Sequence, residues 1–255
     1  MTQSLSIIIL AAGKGKRMNN PDIPKVMALL AEKPLLGHVL DSIEPLEPSF
    51  TVVVLGHHKE KVYEYLTQFS EQKTLKISAV VQEEQLGTGH AVAQAESTLQ
   101  KVGGDILILS GDVPLISTRT IEHFIHEHKK NNATISVLSA HIPQPAGYGR
   151  IIRDSEKQFQ RIVEHKDATE EEKSIHEINS GIYCVKADFL FTSLHKVSNS
   201  NAQGEYYLTD IVGILQQEGH KVYAVACEDY REILGINTSD ELAAASELWD
   251  ILHHH

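Results

Sequence analysis

Two cysteines in 255 residues are too few for a disulfide framework or a cysteine metal cluster, and Cys184 and Cys227 read as small buried residues. No apolar run approaches the about 20 residues needed to cross a bilayer. The opening Met1-Thr-Gln-Ser4 carries no positive charge ahead of apolar Leu5–Leu10. Leu5–Leu10 is therefore read as a buried strand and not as a signal peptide, and a cytoplasmic location is expected. Positive charge is also scarce: 23 Lys and Arg face 34 Asp and Glu, a formal net charge of −11. That balance opposes non-specific nucleic-acid binding. An anionic substrate must then be held by local cations against a repulsive background field. Internal repeats, low-complexity segments and a Pro/Gly linker are missing too, so the chain reads as one domain with two lobes. The terminal His253-His-His255 reads as the remnant of a purification tag and is left out of fold reasoning.

What is present is a regular alternation. Apolar, β-branched runs at Leu5–Leu10, Thr51–Leu55, Ile77–Gln82, Asp105–Leu109 and Thr134–Ala140 predict strands. Helical patterns fall at Leu35–Ser42, Lys59–Phe69, Thr88–Leu99 and Thr118–Lys129, the last with Ser117 placed to cap it. Near-continuously apolar strands alternating with helices indicate parallel βαβ units, hence an α/β, Rossmann-like, doubly wound sheet over about 1–140. About 141–240 is more β-rich: a hairpin from Arg150–Arg153 and Phe159–Glu164, a strand at Glu177–Val185, a helix at Leu208–Gln217 and a strand at Lys221–Ala226. A helical tail is expected over 241–252. His123, His126 and His128 are read mostly as a solvated helix face.

In such sheets ligands bind beyond the carboxyl ends of the strands. Three unusual loops fall there. After the first strand, Leu10-Ala-Ala-Gly-Lys-Gly-Lys-Arg-Met18 offers two glycines, whose backbone N–H groups can cradle an anion, and the cations Lys14, Lys16 and Arg17. It is not a Walker loop, and Met18 stands where a dinucleotide fingerprint needs its third glycine. After the third strand, Gln82 and Gln85 carry both donors and acceptors suited to the edge of a base. Gly87 and Gly89 permit close backbone approach there, and Thr88 is placed to cap the next helix. After the fourth strand, Gly111-Asp112 offers either an Asx turn or an oxygen ligand for a hard cation.

These loops occur in order with Pro24-Lys25, Gly147-Tyr-Gly-Arg150, Ile162-Val-Glu-His-Lys-Asp167, Glu177-Ile-Asn-Ser-Gly181, Asn201-Ala-Gln-Gly-Glu-Tyr-Tyr-Leu-Thr-Asp210 and Gly235-Ile-Asn237. Together they resemble the uridylyltransferase (pyrophosphorylase) domain of the bacterial bifunctional enzymes that make UDP-N-acetylglucosamine, a branch of the sugar nucleotidyltransferases. The likeness runs from about residue 5 to residue 240. It implies transfer of UMP from UTP to N-acetyl-α-D-glucosamine 1-phosphate for cell-wall amino-sugar synthesis, with Mg²⁺ as cofactor. By the same resemblance, Leu10, Ala11, Ala12, Gly13, Gln82, Gly87, Thr88 and Gly111 bind the nucleotide, and Arg17 and Lys25 hold its phosphates. Asp112 and Asn237 bind the metal; Gly149, Glu164, Asn179, Tyr207 and Thr209 bind the sugar phosphate. Two departures accompany it. The Arg17–Lys25 interval is one residue longer than the usual spacing, and Ser110 replaces an aromatic found in some members. No hexapeptide-repeat acetyltransferase region follows, so a monomer is expected. Competing readings are a uridylyltransferase for another sugar phosphate such as glucose 1-phosphate, a non-catalytic nucleotide-sugar sensor and a dinucleotide-dependent oxidoreductase.

Overall fold

The first strand, β1 (Leu5–Ala11), divides its side chains between two cores. Ile7, Ile9 and Ala11 enter one hydrophobic cluster while Ile8 and the following Ala12 enter another, as a period of two demands of a strand buried on both faces. The computed structural model describes residues 4–13, 23–56 and 59–253. After β1 come two short paired strands, β2 (Leu29–Leu30) and β3 (Lys33–Pro34), then α1 (Leu35–Ile43), β4 (Phe50–Leu55), α2 (Lys59–Gln72) and β5 (Ile77–Val81). Next are α3 (Thr88–Ala93), α4 (Glu96–Leu99), β6 (Asp105–Ser110), α5 (Thr118–Lys130) and β7 (Ile135–His141). The rest is β8 (Arg150–Arg153), β9 (Phe159–Val163), α6 (Glu170–Lys173), β10 (Glu177–Lys186), α7 (Ala187–Leu194), α8 (Asp210–Gln217), β11 (Val222–Ala226) and α9 (Ser239–His253).

The main sheet runs β11-β7-β10-β6-β1-β4-β5, with the β8–β9 hairpin attached through β10. Pairs β1/β4, β1/β6, β4/β5 and β7/β11 are parallel, whereas β10 is antiparallel to both β6 and β7. Side chains of α1, α2 and α5 cover one face; those of α3, α4, α7 and α8 cover the other. This is the expected doubly wound mixed sheet. The strand order reverses between β1 and β6, which is where such sheets open a ligand crevice.

Ser117 caps α5 as predicted, its Oγ accepting from the Thr120 N–H at 3.2 Å. His128 departs from the solvated reading. It is buried, 2.8 Å from Ser136 Oγ and 3.5 Å from Asp105 Oδ1, because it falls on the same stripe as Ile121, Phe124 and Ile125. The predicted Thr88–Leu99 helix is split into α3 and α4. The helix α7 was not anticipated, since its eight residues lack a clear polar face. The tail α9 is seated on the domain. Leu242, Ala245, Leu248 and Trp249 pack with Leu30, Leu35 and Leu115, and the Trp249 ring meets His38 edge-on at 4.4 Å. Among the described residues no helix is long and apolar enough to cross a membrane.

Candidate active site

At the reversal of strand order lies a cleft of about 490 Å³ lined by Leu10, Ala12, Gly13, Lys25, Gln82, Thr88 and Asp112 among others. The alternation along β1 explains which members of its motif reach it. Leu10 and Ala12 share the α3 face of the sheet, where Ala91 also lies. Ala11 points the other way, into the core beside Leu55. Its side chain is therefore not part of the cleft wall. Gly111 also stands behind the wall, its N–H bonded to Leu10 O at 2.9 Å. A Cβ there would press on Leu10, Val26 and Leu36 at 3.3–3.4 Å. Arg17, with Lys14 and Lys16, lies outside the described residues.

The Gln82–His90 loop is held by its two glutamine side chains. Gln82, buried, donates to Gly87 O and contacts His90 Nδ1, both at 3.0 Å. Its Oε1 remains as the acceptor for a ring N–H. Gln85 donates to Ala12 O, tying this loop to the β1 turn. Thr88 does not cap α3; the cap position is Gly87, and Thr88 Oγ1 instead accepts from the Leu208 N–H at 3.1 Å. The glycines work as foreseen. Gly87 has φ +108°, and a Cβ there would stand 2.6 Å from Tyr206 O. The Gly89 N–H bonds that same carbonyl at 2.8 Å. The Gln82–His90 loop and the 201–210 segment thus meet backbone to backbone. Val26, Ala91 and Glu205, not singled out above, complete the cleft with Ser110. Glu205 adjoins that backbone contact, and its place in the 201–210 motif was the available signal.

The second part of the site is a three-residue cluster. Lys25 opens a single 3₁₀ turn behind Pro24, and buried Val26 anchors the turn so that Lys25 projects into the cleft. Its ammonium pairs with Asp112 Oδ2 and lies 2.9 Å from Asn237 Oδ1. Residues 112 and 237 are joined through the backbone, the Ile236 N–H bonding Asp112 O at 2.9 Å. Asn237 is steadied from the other side, because Glu241 accepts from the Asn237 and Thr238 N–H groups while Thr238 Oγ1 accepts from Glu241 N–H at 3.1 Å. That is a capping box at the start of α9. The donor set suits a hard cation: one carboxylate and one amide oxygen converge on a point that an ammonium fills. Gly235 adjoins that point, a Cβ there making ordinary contacts with Asn237 Nδ2 and Asp112 Oδ2 at 3.6–3.7 Å. Among the described residues no group of three or more His, Cys, Asp or Glu converges to hold a metal.

The third part gathers around Glu164. The Thr209 hydroxyl donates to its Oε1 at 3.2 Å, and a Cβ on Gly149 would come 3.5 Å from its Oε2. Burial raises the Glu164 carboxyl above its ordinary pKa; the Thr209 bond opposes this, and Asp167, Asp210 and Glu205 add to the rise. Asn179 joins through its N–H, bonded to Gly149 O at 2.9 Å, and its Nδ2, which donates to Tyr183 Oη at 2.7 Å. A bulge in β10 between Asn179 and Tyr183 aims it there, with Gly181 at φ +79°. The Tyr207 hydroxyl is turned elsewhere, toward Gln203 at 2.8 Å and Asp167 at 3.3 Å.

A crevice at the switch point of a doubly wound sheet, with glycine turns, a lysine and a hard-cation donor pair on its rim, defines a nucleotide-binding α/β architecture. Residues 6–250 match the nucleotidyl transferase family model, and the chain belongs to that family. It is 46% identical over 245 residues to the bifunctional protein GlmU of Zymomonas mobilis, a match covering 96% of this chain and 53% of that protein. It is 44% identical over 238 residues to the protein of the same name from Shouchella clausii, covering 93% and 51%. The chain therefore spans about half the length of the curated relatives it matches. A solved UDP-glucose pyrophosphorylase complexed with UDP-glucose superposes with a TM-score of 0.79 at 18% identity, over 98% of this chain and 100% of that one. At that identity the likeness is one of fold.

Proposed function

We propose that this nucleotidyltransferase transfers UMP from UTP to N-acetyl-α-D-glucosamine 1-phosphate, releasing pyrophosphate and forming UDP-N-acetylglucosamine for envelope amino-sugar synthesis. Identity of 44–46% to relatives named bifunctional protein GlmU supports this substrate pair. The observation that carries it is the convergence of Lys25, Asp112 and Asn237 on the rim of the Leu10–Gly13 and Gln82–Thr88 cleft.

The uracil stacks against Leu10 and Ala12 and meets the Gln82 carbonyl oxygen. A phosphate oxygen of the sugar phosphate, already anionic at neutral pH, attacks the α-phosphorus in line. A new P–O bond forms there as the bond to the bridging oxygen of the β-phosphate breaks, and pyrophosphate leaves. No general base is required, so catalysis consists of alignment and neutralisation of charge. Lys25 supplies positive charge at the reacting phosphates. Arg17, assigned by resemblance, holds the β- and γ-phosphates. Nucleotidyltransferases related to GlmU are generally metal-dependent. The ion inferred here is Mg²⁺ on Asp112 and Asn237, which when bound neutralises phosphate charge. Gly149, Glu164, Asn179, Tyr207 and Thr209 receive the sugar, with carboxylates accepting from its hydroxyls.

Pyrophosphate release in the presence of UTP and Mg²⁺, with N-acetylglucosamine, glucose or glucosamine 1-phosphate as acceptor, tests the substrate. Strong release with the acetylated sugar alone is expected. Release with glucose 1-phosphate instead overturns the acceptor, and no release from folded protein overturns the activity.

A further inference from the structure

Asp112 and Asn237 aim two oxygens at one point, and the Lys25 ammonium already holds both, pairing with Asp112 Oδ2 and lying 2.9 Å from Asn237 Oδ1. An ammonium has three donors and no lone pair, so Lys25 neutralises this pair but cannot be a metal ligand beside it. A cation of the Mg²⁺ type needs oxygens at about 2.0–2.1 Å in near-octahedral order. It cannot share both oxygens with an ammonium in hydrogen-bond contact, and the like charges repel. The pair is also shielded, with the Lys25 and Asp112 side chains only 13% and 14% exposed. Withdrawal of one positive charge therefore calls for another to replace it. Lys25 has somewhere to go. Its stem lies over Gly13, whose Cβ position is 3.9 Å from Lys25 Cε. Four flexible carbons let the ammonium swing from the carboxylate to a phosphate.

Building on the uridylyltransferase reading above, we propose that Lys25 is the counter-ion of the metal donor pair in the nucleotide-free protein. It releases Asp112 and Asn237 when triphosphate oxygens take up its ammonium. Metal and nucleotide then load together, each favouring the other by the same factor, as linkage requires. Lys25 thus has two successive duties: it occupies the metal position at rest and serves the phosphates in the loaded state.

Mn²⁺ alone, without nucleotide and at fixed pH, is the probe, with free Mn²⁺ followed by electron paramagnetic resonance. The chain is titrated as wild type, as K25M and as K25M/D112N, with circular dichroism on each. K25Q replaces K25M throughout if the methionine variant does not fold. Weak binding by the wild type, at least tenfold tighter binding by the uncharged Lys25 variant and loss of that gain in the double variant are expected. Unchanged or weaker binding by the Lys25 variant overturns the counter-ion role and leaves the uridylyltransferase reading standing. Tightened binding that survives D112N contradicts the donor pair, and with it both that role and the metal assignment.

Discussion

The residues with the clearest duties are those with a partner they must exchange. Lys25 is bonded to Asp112 and Asn237, yet the proposed reaction asks it to face phosphate. Replacing it with alanine is expected to lower kcat by about 10²–10³, the range for one removed transition-state charge contact. Its melting temperature should fall, because the shielded Asp112 carboxylate loses its counter-ion, while circular dichroism should show that the chain still folds. Glu164 gives a pH signature. Its carboxyl is raised above the ordinary value chiefly by burial, so it takes up a proton at a pH where an exposed glutamate stays ionised. Only the ionised form accepts fully from sugar hydroxyls. KM for the sugar phosphate should therefore rise as pH falls through a window just above the usual carboxylate range. Glu164→Gln should have a higher but flatter KM profile, with KM for UTP unaffected.

These residues differ in how legible they were. The Leu10–Gly13, Gln82–Thr88 and Asp112 loops could be placed on one sheet edge from hydrophobic patterning alone. The two-residue period sends the Ala11 side chain to the opposite core. Asn237 was unreadable without the resemblance. It is 125 positions from Asp112, and what joins them is one backbone bond from Ile236. Glu164 sits in a charged run that reads as a solvated face. Its burial depends on Thr209 and Gly149 arriving from other elements.

Among elements, the loop before α3 and the helix α9 set the geometry. Gly87 has a positive φ and no room for a Cβ against Tyr206. Gly87→Ala should introduce strain of about 1–3 kcal/mol and displace the Gln82–Thr88 loop. A KM for UTP raised about tenfold, ~1.4 kcal/mol, with KM for the sugar phosphate changed less, is the expected kinetic outcome. The tail α9 looked peripheral as an amphipathic run near the end of the chain. Its capping box in fact braces Asn237. Thr238→Ala should cost about 1 kcal/mol of stability and also weaken metal dependence, shifting the metal concentration for half-maximal rate upward. A change in melting temperature without that shift would mean α9 is only a packing element. The helix α7 stayed invisible to periodicity because it is short and apolar. Thr88 misled because a hydroxyl beside a glycine suits a cap as well as a tie to a distant segment such as Leu208.

Over the whole molecule, two cores on either side of one sheet hold the loops at its edge. The sheet was foreseeable because its strands are apolar throughout. The insertion of antiparallel β10 between β6 and β7 was not, since nothing local in Glu177–Lys186 states its partners. The buried His128, Ser136 and Asp105 group sits beside Cys184, the register partner of Ser136 on β10, and outside the cleft wall. His128→Ala removes a filled polar position from the core and should cost about 2–3 kcal/mol. Denaturant titration should show that loss, and kcat of the protein that remains folded should be unchanged. With a net charge of −11, anionic substrates meet a repulsive molecule everywhere except near local cations. Holding those substrates therefore falls to the small cluster at the rim.

Single-turnover transfer of label from [α-³²P]UTP to N-acetylglucosamine 1-phosphate, in the wild-type protein and in Asp112→Asn, tests that cluster most directly. The expected result is labelled UDP-N-acetylglucosamine from the wild type and a rate at least about 10²-fold lower from the variant at saturating substrates. Transfer by Asp112→Asn at the wild-type rate would contradict the assignment of the metal and reacting phosphates to this site.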